Sequence, residues 1–294
     1  VITVPAGYEE SLLAGRPTAV RVTANGAFPV KSRAVTAAVM TVVSGEMMQS
    51  AARNLLRAGV PLETLARVKT APVSMVDENL FNVLSGYAGY IVPVVMPVII
   101  QAVLLMSIVM SLGGWIAERP MGGLARALLD GRGGFAALYG AFWFFGMMWI
   151  AYAMGIDFAL FDFSSMQNPA ASLMLMALFI AAIVSMGLAA TFALNSNAYG
   201  AQLLVVISAP AVFLSGAVFP VSGFAWPALV VRALLPSTPG INGLVAAAQN
   251  GADTELVFPE ALHLAILAAS YGVLAYRLHQ LRARQARALS TTLV

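Results

Sequence analysis

From Phe163 to Val231 the chain runs for 69 residues without a Lys, Arg, Asp or Glu. Roughly 20 apolar helical residues cross a hydrocarbon core about 30 Å thick, so a run of this length must cross, turn and cross again. A soluble domain carries roughly 25% charged residues. Here 10% of the 294 residues are charged and 60% are hydrophobic, which excludes an ordinary soluble globule and a disordered chain alike. The 16 basic against 13 acidic residues give a formal net charge of +3. In so apolar a chain this basic excess reads as a device for orientation in a bilayer rather than as a nucleic-acid footprint. The absence of Cys removes disulfides, thiolate metal sites and cysteine nucleophiles together.

The other charge-free intervals complete the count of spans. There are 39 uncharged residues between Glu78 and Glu118, and 24 between Arg132 and Asp157, the latter holding Phe142-Trp143-Phe144-Phe145-Gly146-Met147-Met148-Trp149. Within the 69-residue run, the polar cluster Asn195-Ser196-Asn197-Ala198-Tyr199-Gly200 is the expected turn. Between Glu260 and Arg277 only 16 residues are uncharged, the low limit for a crossing unless the flanking charges reach out to the interfaces. The expectation is a mainly α, polytopic membrane protein with five spans, at about 91–115, 135–155, 170–194, 200–220 and 261–277.

Orientation follows from the short loops. The 116–134 loop carries Arg119, Arg126 and Arg132, and the tail from 277 carries Arg277, Arg282, Arg284 and Arg287. Residues 156–169 carry no basic residue, and 221–259 only Arg232. The positive-inside rule then makes the Arg-rich loop and the C-terminus cytoplasmic, and residues 1–89 extracytoplasmic. Nothing before residue 90 can serve as a signal or anchor, and residue 1 is Val. The expectation is therefore a further helix upstream of Val1, making six spans in the full-length protein.

The outer segment 1–89 reads as a small α+β domain. Strands are expected at Val1–Val4, Ala19–Thr23 and, weakly, Val68–Ser74, with a short helix from Glu9 to Ala14 and an Asn25-Gly26 turn. A long amphipathic helix starts at Lys31 and stops at Gly59-Val60-Pro61; its stripe of Val35, Val39, Val42, Met47, Ala51 and Leu55 is expected to face the core of that domain, a partner-binding surface being the alternative. Residues 221–240 are apolar but interrupted by Pro227, Arg232, Pro236 and Pro239. They suit an interfacial or re-entrant hairpin on the outer face, with Trp226 at headgroup depth. A short helix from about Met121 to Asp130, carrying Leu124, Leu128 and Leu129, suits a docking element, or else a solvated loop.

Several chemistries lack their residues. A phosphate-cradling loop needs Gly-rich sequence ending in Lys-Ser or Lys-Thr. The only lysines are Lys31 and Lys69, and Lys31-Ser32 lacks the required glycines before it. His263 and His279 are expected on opposite sides of the membrane, which leaves no metal site and no metalloprotease. Ser215 and His263 are an unspecific hydrolase pair, and His263 also reads as an interfacial side chain. The expected spans contain no paired carboxylates of the kind that couple ion movement. No catalytic residue is assigned, and active transport would draw its energy from another subunit. Met96 and Met106, with Met110, Met147, Met148, Met174, Met176 and Met186, give surfaces able to tolerate apolar cargo, or ordinary lipid-facing packing. Pro93, Pro97 and Pro210 are expected to kink their helices.

Motifs along the whole chain carry a resemblance. They are Pro5-Ala6-Gly7-Tyr8, Leu12, Gly15-Arg16-Pro17 and Asn25-Gly26; Leu80-Phe81-Asn82 with Tyr87 and Tyr90 through Pro93; and Phe213-Leu214-Ser215-Gly216, Phe219-Pro220, Leu234-Leu235-Pro236-Ser237-Thr238-Pro239-Gly240-Ile241 and Gly251-Ala252. In order and spacing these resemble the permease subunit of bacterial ABC exporters of the type 2 class, in its drug-export-like branch, although Val83 stands where Pro is common. The resemblance implies that 116–134 is the cytoplasmic coupling loop to an ABC ATPase, with Glu118 and Gly122 matching its usual residues and Arg119, Arg126 and Asp130 beside them. Pro120, Gly123 and Arg126 depart from the family's usual acidic, Thr and acidic residues. It further implies a second permease copy or homologue, a periplasmic adaptor in many members, and a bacterial inner-membrane location. ATP and Mg would be used by the partner ATPase, with no cofactor on this chain. The candidate pathway residues are Met96, Met106, Phe213, Ser215 and Phe219, and the outer segment is marked by Trp226, Arg232 and Pro236. A membrane-embedded hydrolase and a non-transporting envelope assembly protein are the alternatives.

Overall fold

The computed structural model describes residues 1–13, 18–25, 29–57, 73–80, 87–117, 123–130, 133–194, 210–219 and 221–292. They form two compact units, Val1–Tyr90 and Ile91–Val294.

The first unit contains β1 (Ile2–Thr3), α1 (Tyr8–Leu13), β2 (Thr18–Asn25), α2 (Pro29–Arg57) and β3 (Val73–Leu80). β1 pairs antiparallel with β2, with Ile2 opposite Val22, and β2 pairs parallel with β3 from Thr18 opposite Val73 to Asn25 opposite Leu80. Parallel neighbours need a long crossover, and α2 lies in it. The third strand thus begins at Val73, where Val68–Ser74 was expected; residues 68–72 lie outside the described set, as do Ala14, Gly15, Gly26 and the Gly59–Pro61 stop. Asp77 and Glu78 hid its second half, because a parallel partner recruits residues by register and not by apolarity. The stripe of α2 is only partly a core face: Val43 is buried with Val20 and Val22 and Val39 packs on them, but Val35 and Val42 are exposed. The three-stranded sheet is too short to cover a 29-residue helix.

The second unit is helical. It comprises α3 (Tyr87–Ala117), α4 (Gly123–Asp130), α5 (Gly134–Ala151) running through a π turn (Tyr152–Asp157) into α6 (Phe158–Leu160), and α7 (Pro169–Leu194). The described end of α8 (210–214) follows, then α9 (Trp226–Leu234), α10 (Ser237–Leu244) with its π extension Val245–Gln249, and α11 (Phe258–Thr292). Among the described residues, four single helical stretches are long and apolar enough to cross a membrane: Ile91–Ile116, Gly134–Leu160, Pro169–Leu194 and Phe258–Arg284. The crossing expected at 200–220 falls mainly on residues outside the described set. Pro93 and Pro97 lie inside one continuous helix, α3.

α7 is the central helix, with Leu175, Met176, Phe179, Ile180, Ile183 and Leu188 all fully buried. In lipid, burial of apolar surface gives little drive for helices to associate, so close packing and interhelical hydrogen bonds must hold them. Both are present. Tyr139 and Trp143, one turn apart on α5, donate to the carbonyls of Ala181 and Ala177, one turn apart on α7, at 3.3 and 3.1 Å. This ladder runs in opposite directions along the two helices and fixes them as antiparallel neighbours. Gly146 on α5 leaves room for Ile180 and Leu104, and Gly187 on α7 leaves room for Ile108 and Leu105, so α3 seats against both. On the other side of α5, Phe144, Phe145, Met148 and Trp149 are exposed, as befits a lipid-facing surface.

The helix of α5 runs on past 155, where the span was expected to end, through its π turn to Leu160, and includes Asp157, half-buried beside the Tyr152 phenol. A π turn adds one residue to the helical repeat, and such turns gather at functional positions.

Candidate functional site

Long-range side-chain hydrogen bonds converge on the bent helix pair. α9 and the continuous α10–π segment meet at 76°. The prolines that read as interruptions explain its shape. Pro227 is the second residue of α9 and Pro239 the third of α10, first-turn positions where a missing N–H costs no hydrogen bond. Only Pro236, buried at the junction, breaks the run. The segment therefore extends to Gln249 rather than ending near 240, and Ser237 to Ile241 are buried against the bundle, with Gly240 under the Phe179 ring.

Side chains from elsewhere satisfy the backbone groups that this bend exposes. Helix ends leave carbonyls without intrahelical donors. At the end of α9 the Ala233 carbonyl takes His263 Nε2 at 2.8 Å and the Leu234 carbonyl takes the Tyr271 hydroxyl at 2.9 Å, both from α11. A carbonyl only accepts, so His263 carries its proton on Nε2. At the far end, Ala247 and Ala248 receive the backbone N–H groups of Asn168 and Gln167, and the Gln249 carbonyl receives Ser164 Oγ. Asn168 also donates Nδ2 to Ala252 and caps the start of α7 through Ala171 N. The bent pair is thus fastened to α11 at one end and to the α6–α7 loop at the other.

The Phe213-Leu214-Ser215-Gly216 motif forms the third side. Gly216 has φ +84°, and a Cβ there would lie 2.6 Å from Val221 Cγ2, so the turn requires glycine on both counts. That turn presents the Ser215 carbonyl, on which Arg232 Nη2 and Asn242 Nδ2 converge at 3.4 and 3.3 Å. Arg232 is half-buried and its Nε has no partner; the Thr238 hydroxyl, 4% exposed, has none either. A cavity of about 250 Å³ opens between α9, the start of α10 and the start of α11, lined by Leu229, Arg232, Thr238, Asn242, Glu260 and His263 among others.

The structure joins some of the residues singled out in the sequence and separates others. Phe213 and Phe219 are exposed with ring centroids 5.9 Å apart, flanking buried Ser215, and Arg232 reaches that same turn. Trp226 opens α9 and is 76% exposed. Met96 is partly buried and packs against the bundle core, whereas Met106 is exposed. In the loop before α5, Glu118, Arg119 and Gly122 lie outside the described residues, and Arg126 and Asp130 sit on α4. α4 is anchored by buried Leu129, with Leu128 half-buried and Leu124 exposed. Ser215 Oγ donates to the Val212 carbonyl at 2.6 Å and accepts from Ala217 N, while His263 is engaged with Ala233, so the geometry does not link them as nucleophile and base. Among the described residues no group of three or more His, Asp or Glu is placed to hold a metal. Nothing in the sequence set Asn242 or Asn168 apart; they are ordinary polar residues until the fold brings them to the Ser215 and Ala252 carbonyls.

Several helices long and apolar enough to cross a membrane, with a buttressed bent pair beside them, mark a multi-pass membrane protein. The family model described as ABC-2 family transporter protein matches residues 1–277, and the chain belongs to that family, as the permease subunit of an ABC transporter. No curated protein and no solved structure matches the chain.

Proposed function

We propose that the chain is the membrane half of an ATP-driven exporter in a bacterial inner membrane, working as a dimer and coupled through residues 118–130 to a separate ATPase. Its cargo is a hydrophobic or amphipathic compound, such as a drug or a lipid-like molecule. Membership of the ABC-2 family over residues 1–277 carries this reading. The sequence supports the division of labour, since Lys31 and Lys69 are the only lysines and neither ends a phosphate-binding loop. On this reading residues 1–89 are extracytoplasmic, the C-terminus is cytoplasmic, Mg and ATP are handled by the partner, and a periplasmic adaptor can complete the path. Phe213, Ser215 and Phe219 are the pathway residues closest to the bent pair.

The test is reconstitution of the full chain with its ATPase in lipid discs, followed by measurement of ATP hydrolysis and transport. Reversing both charges, Glu118→Lys with Arg126→Glu, should uncouple hydrolysis from transport or dissociate the complex. Full activity of that variant would refute the coupling role.

A further inference from the structure

We propose that the cavity between α9, α10 and α11 binds a zwitterionic headgroup, its oxyanion held by Arg232 and Thr238 and its ammonium by Glu260. The inference rests on the exporter reading above and gives the amphipathic cargo, or a lipid that accompanies it, a specific headgroup chemistry.

Size comes first. Pockets that enclose drug-sized ligands run to roughly 300–1,000 Å³. A cavity of about 250 Å³ takes a headgroup and leaves the rest of the molecule outside. Outside lies an apolar track, because Trp226, Leu229 and Val230 are all exposed on α9. Leu229 also lines the cavity, so an acyl chain has a continuous apolar path from its rim.

Charge decides what the headgroup must be. Arg232 comes from α9 and Glu260 from α11, and both line the cavity; among the described residues neither forms an ion pair. Two opposite charges on facing elements, each desolvated in part and neither neutralised, complement a ligand bearing both signs. A purely anionic headgroup would meet the Glu260 carboxylate, and a purely cationic one the guanidinium. Arg232 is steadied by its bond to the Ser215 carbonyl, which leaves the rest of the guanidinium fork for an oxyanion. The second, independent sign is Thr238: a hydroxyl that is 4% exposed, lines the cavity and lacks a partner. A buried hydroxyl without a hydrogen bond is costly, and a ligand oxygen would complete it. His263, its Nε2 engaged with Ala233, has only Nδ1 left for the ligand.

Binding is measured on the purified full chain in an uncharged detergent, by native mass spectrometry and tryptophan fluorescence. The probes are diheptanoyl-phosphatidylcholine, the matching phosphatidylglycerol, and glycerophosphocholine without acyl chains. Wild type should prefer the phosphatidylcholine, with the chain-free probe weaker because the apolar track on α9 contributes nothing to it. Glu260→Gln should weaken phosphatidylcholine roughly ten- to hundredfold and at the same time tighten phosphatidylglycerol, a switch that mere misfolding would not produce. Thr238→Val, nearly isosteric, should weaken both lipids. Arg232→Gln should weaken both more. The source of the headgroup is read from the complex with ATPase: added phosphatidylcholine probe that raises ATP hydrolysis marks exported cargo, whereas binding with unchanged hydrolysis marks a resident lipid. Either result supports the site. No saturable binding, no preference between the lipids, or wild-type behaviour of both Glu260→Gln and Thr238→Val would overturn it. Binding and coupling are separate readouts, so loss of the ATPase interaction with headgroup preference intact counts against the exporter reading alone.

Discussion

Gly134 begins α5 and is buried where α4 folds back on it. A Cβ at this position would fall on the carbonyl oxygen of Leu128, and would stand 2.6 Å from its carbonyl carbon and 3.0 Å from its Cα. All three are backbone atoms, so no rotamer change gives relief and α4 must shift away from α5. Overpacking of this kind costs about 1–3 kcal/mol. If the shift unseats Leu129, 6% exposed, the lost burial is of the same order, about 1.5–3 kcal/mol. At roughly 2–4 °C per kcal/mol for 150–250 residues, Gly134→Ala should melt about 2–12 °C below wild type. The assay is thermal unfolding of the purified full chain in detergent. Gly140→Ala in the same helix is the control, since nothing lies within 4 Å of a Cβ there. Its only expected effect is a gain in helix propensity of about 1 kcal/mol or less. Equal melting temperatures for Gly134→Ala and wild type would refute the close approach of α4 and α5. With α4 proposed as the docking helix, Gly134→Ala should also lower partner-stimulated ATP hydrolysis more than Gly140→Ala does.

Three further outcomes follow from the same geometry. Gly216→Ala forces a side chain into the left-handed region and against Val221, and should destabilise the chain by about 1–3 kcal/mol in thermal or denaturant unfolding. Trp143→Phe removes the bond to the Ala177 carbonyl while keeping an aromatic ring, and should cost about 0.6 kcal/mol, the average for interhelical bonds in a membrane protein, and at most about 1.7. Asn168→Ala loses both the cap on α7 and the tie to Ala252, and should cost about 1–2 kcal/mol; an unchanged melting temperature would show that the α6–α7 loop does not hold the bent pair.

The spans were legible because lipid demands only an unbroken apolar run, a property written locally in Ile91–Ile116 and Pro169–Leu194. The Ser215-Gly216 turn was not legible as a turn, because both residues lie in the apolar run expected to cross at 200–220, and only the fold sets Gly216 at φ +84°. Nor was the second limb of the bent pair, because Pro236, Thr238 and Pro239 look the same in sequence whether they end a helix or begin one. The end of the α5 helix was not legible either, because a π turn carries it past the point where hydropathy falls. On α2 the apolar period indicated an amphipathic helix, but how much of it is covered depends on the extent of the sheet opposite, and Val35 and Val42 lie beyond that cover.

By itself the sequence determined the solvent of this protein and the approximate crossings, because each follows from the composition of a contiguous stretch. Tertiary structure alone decided which polar groups meet. Ser215, Arg232, Asn242 and His263 are spread over 49 positions, His263 being at 263 and Ser215 at 215. They converge only because α9 and α10 bend by 76° and offer backbone carbonyls that lipid cannot satisfy.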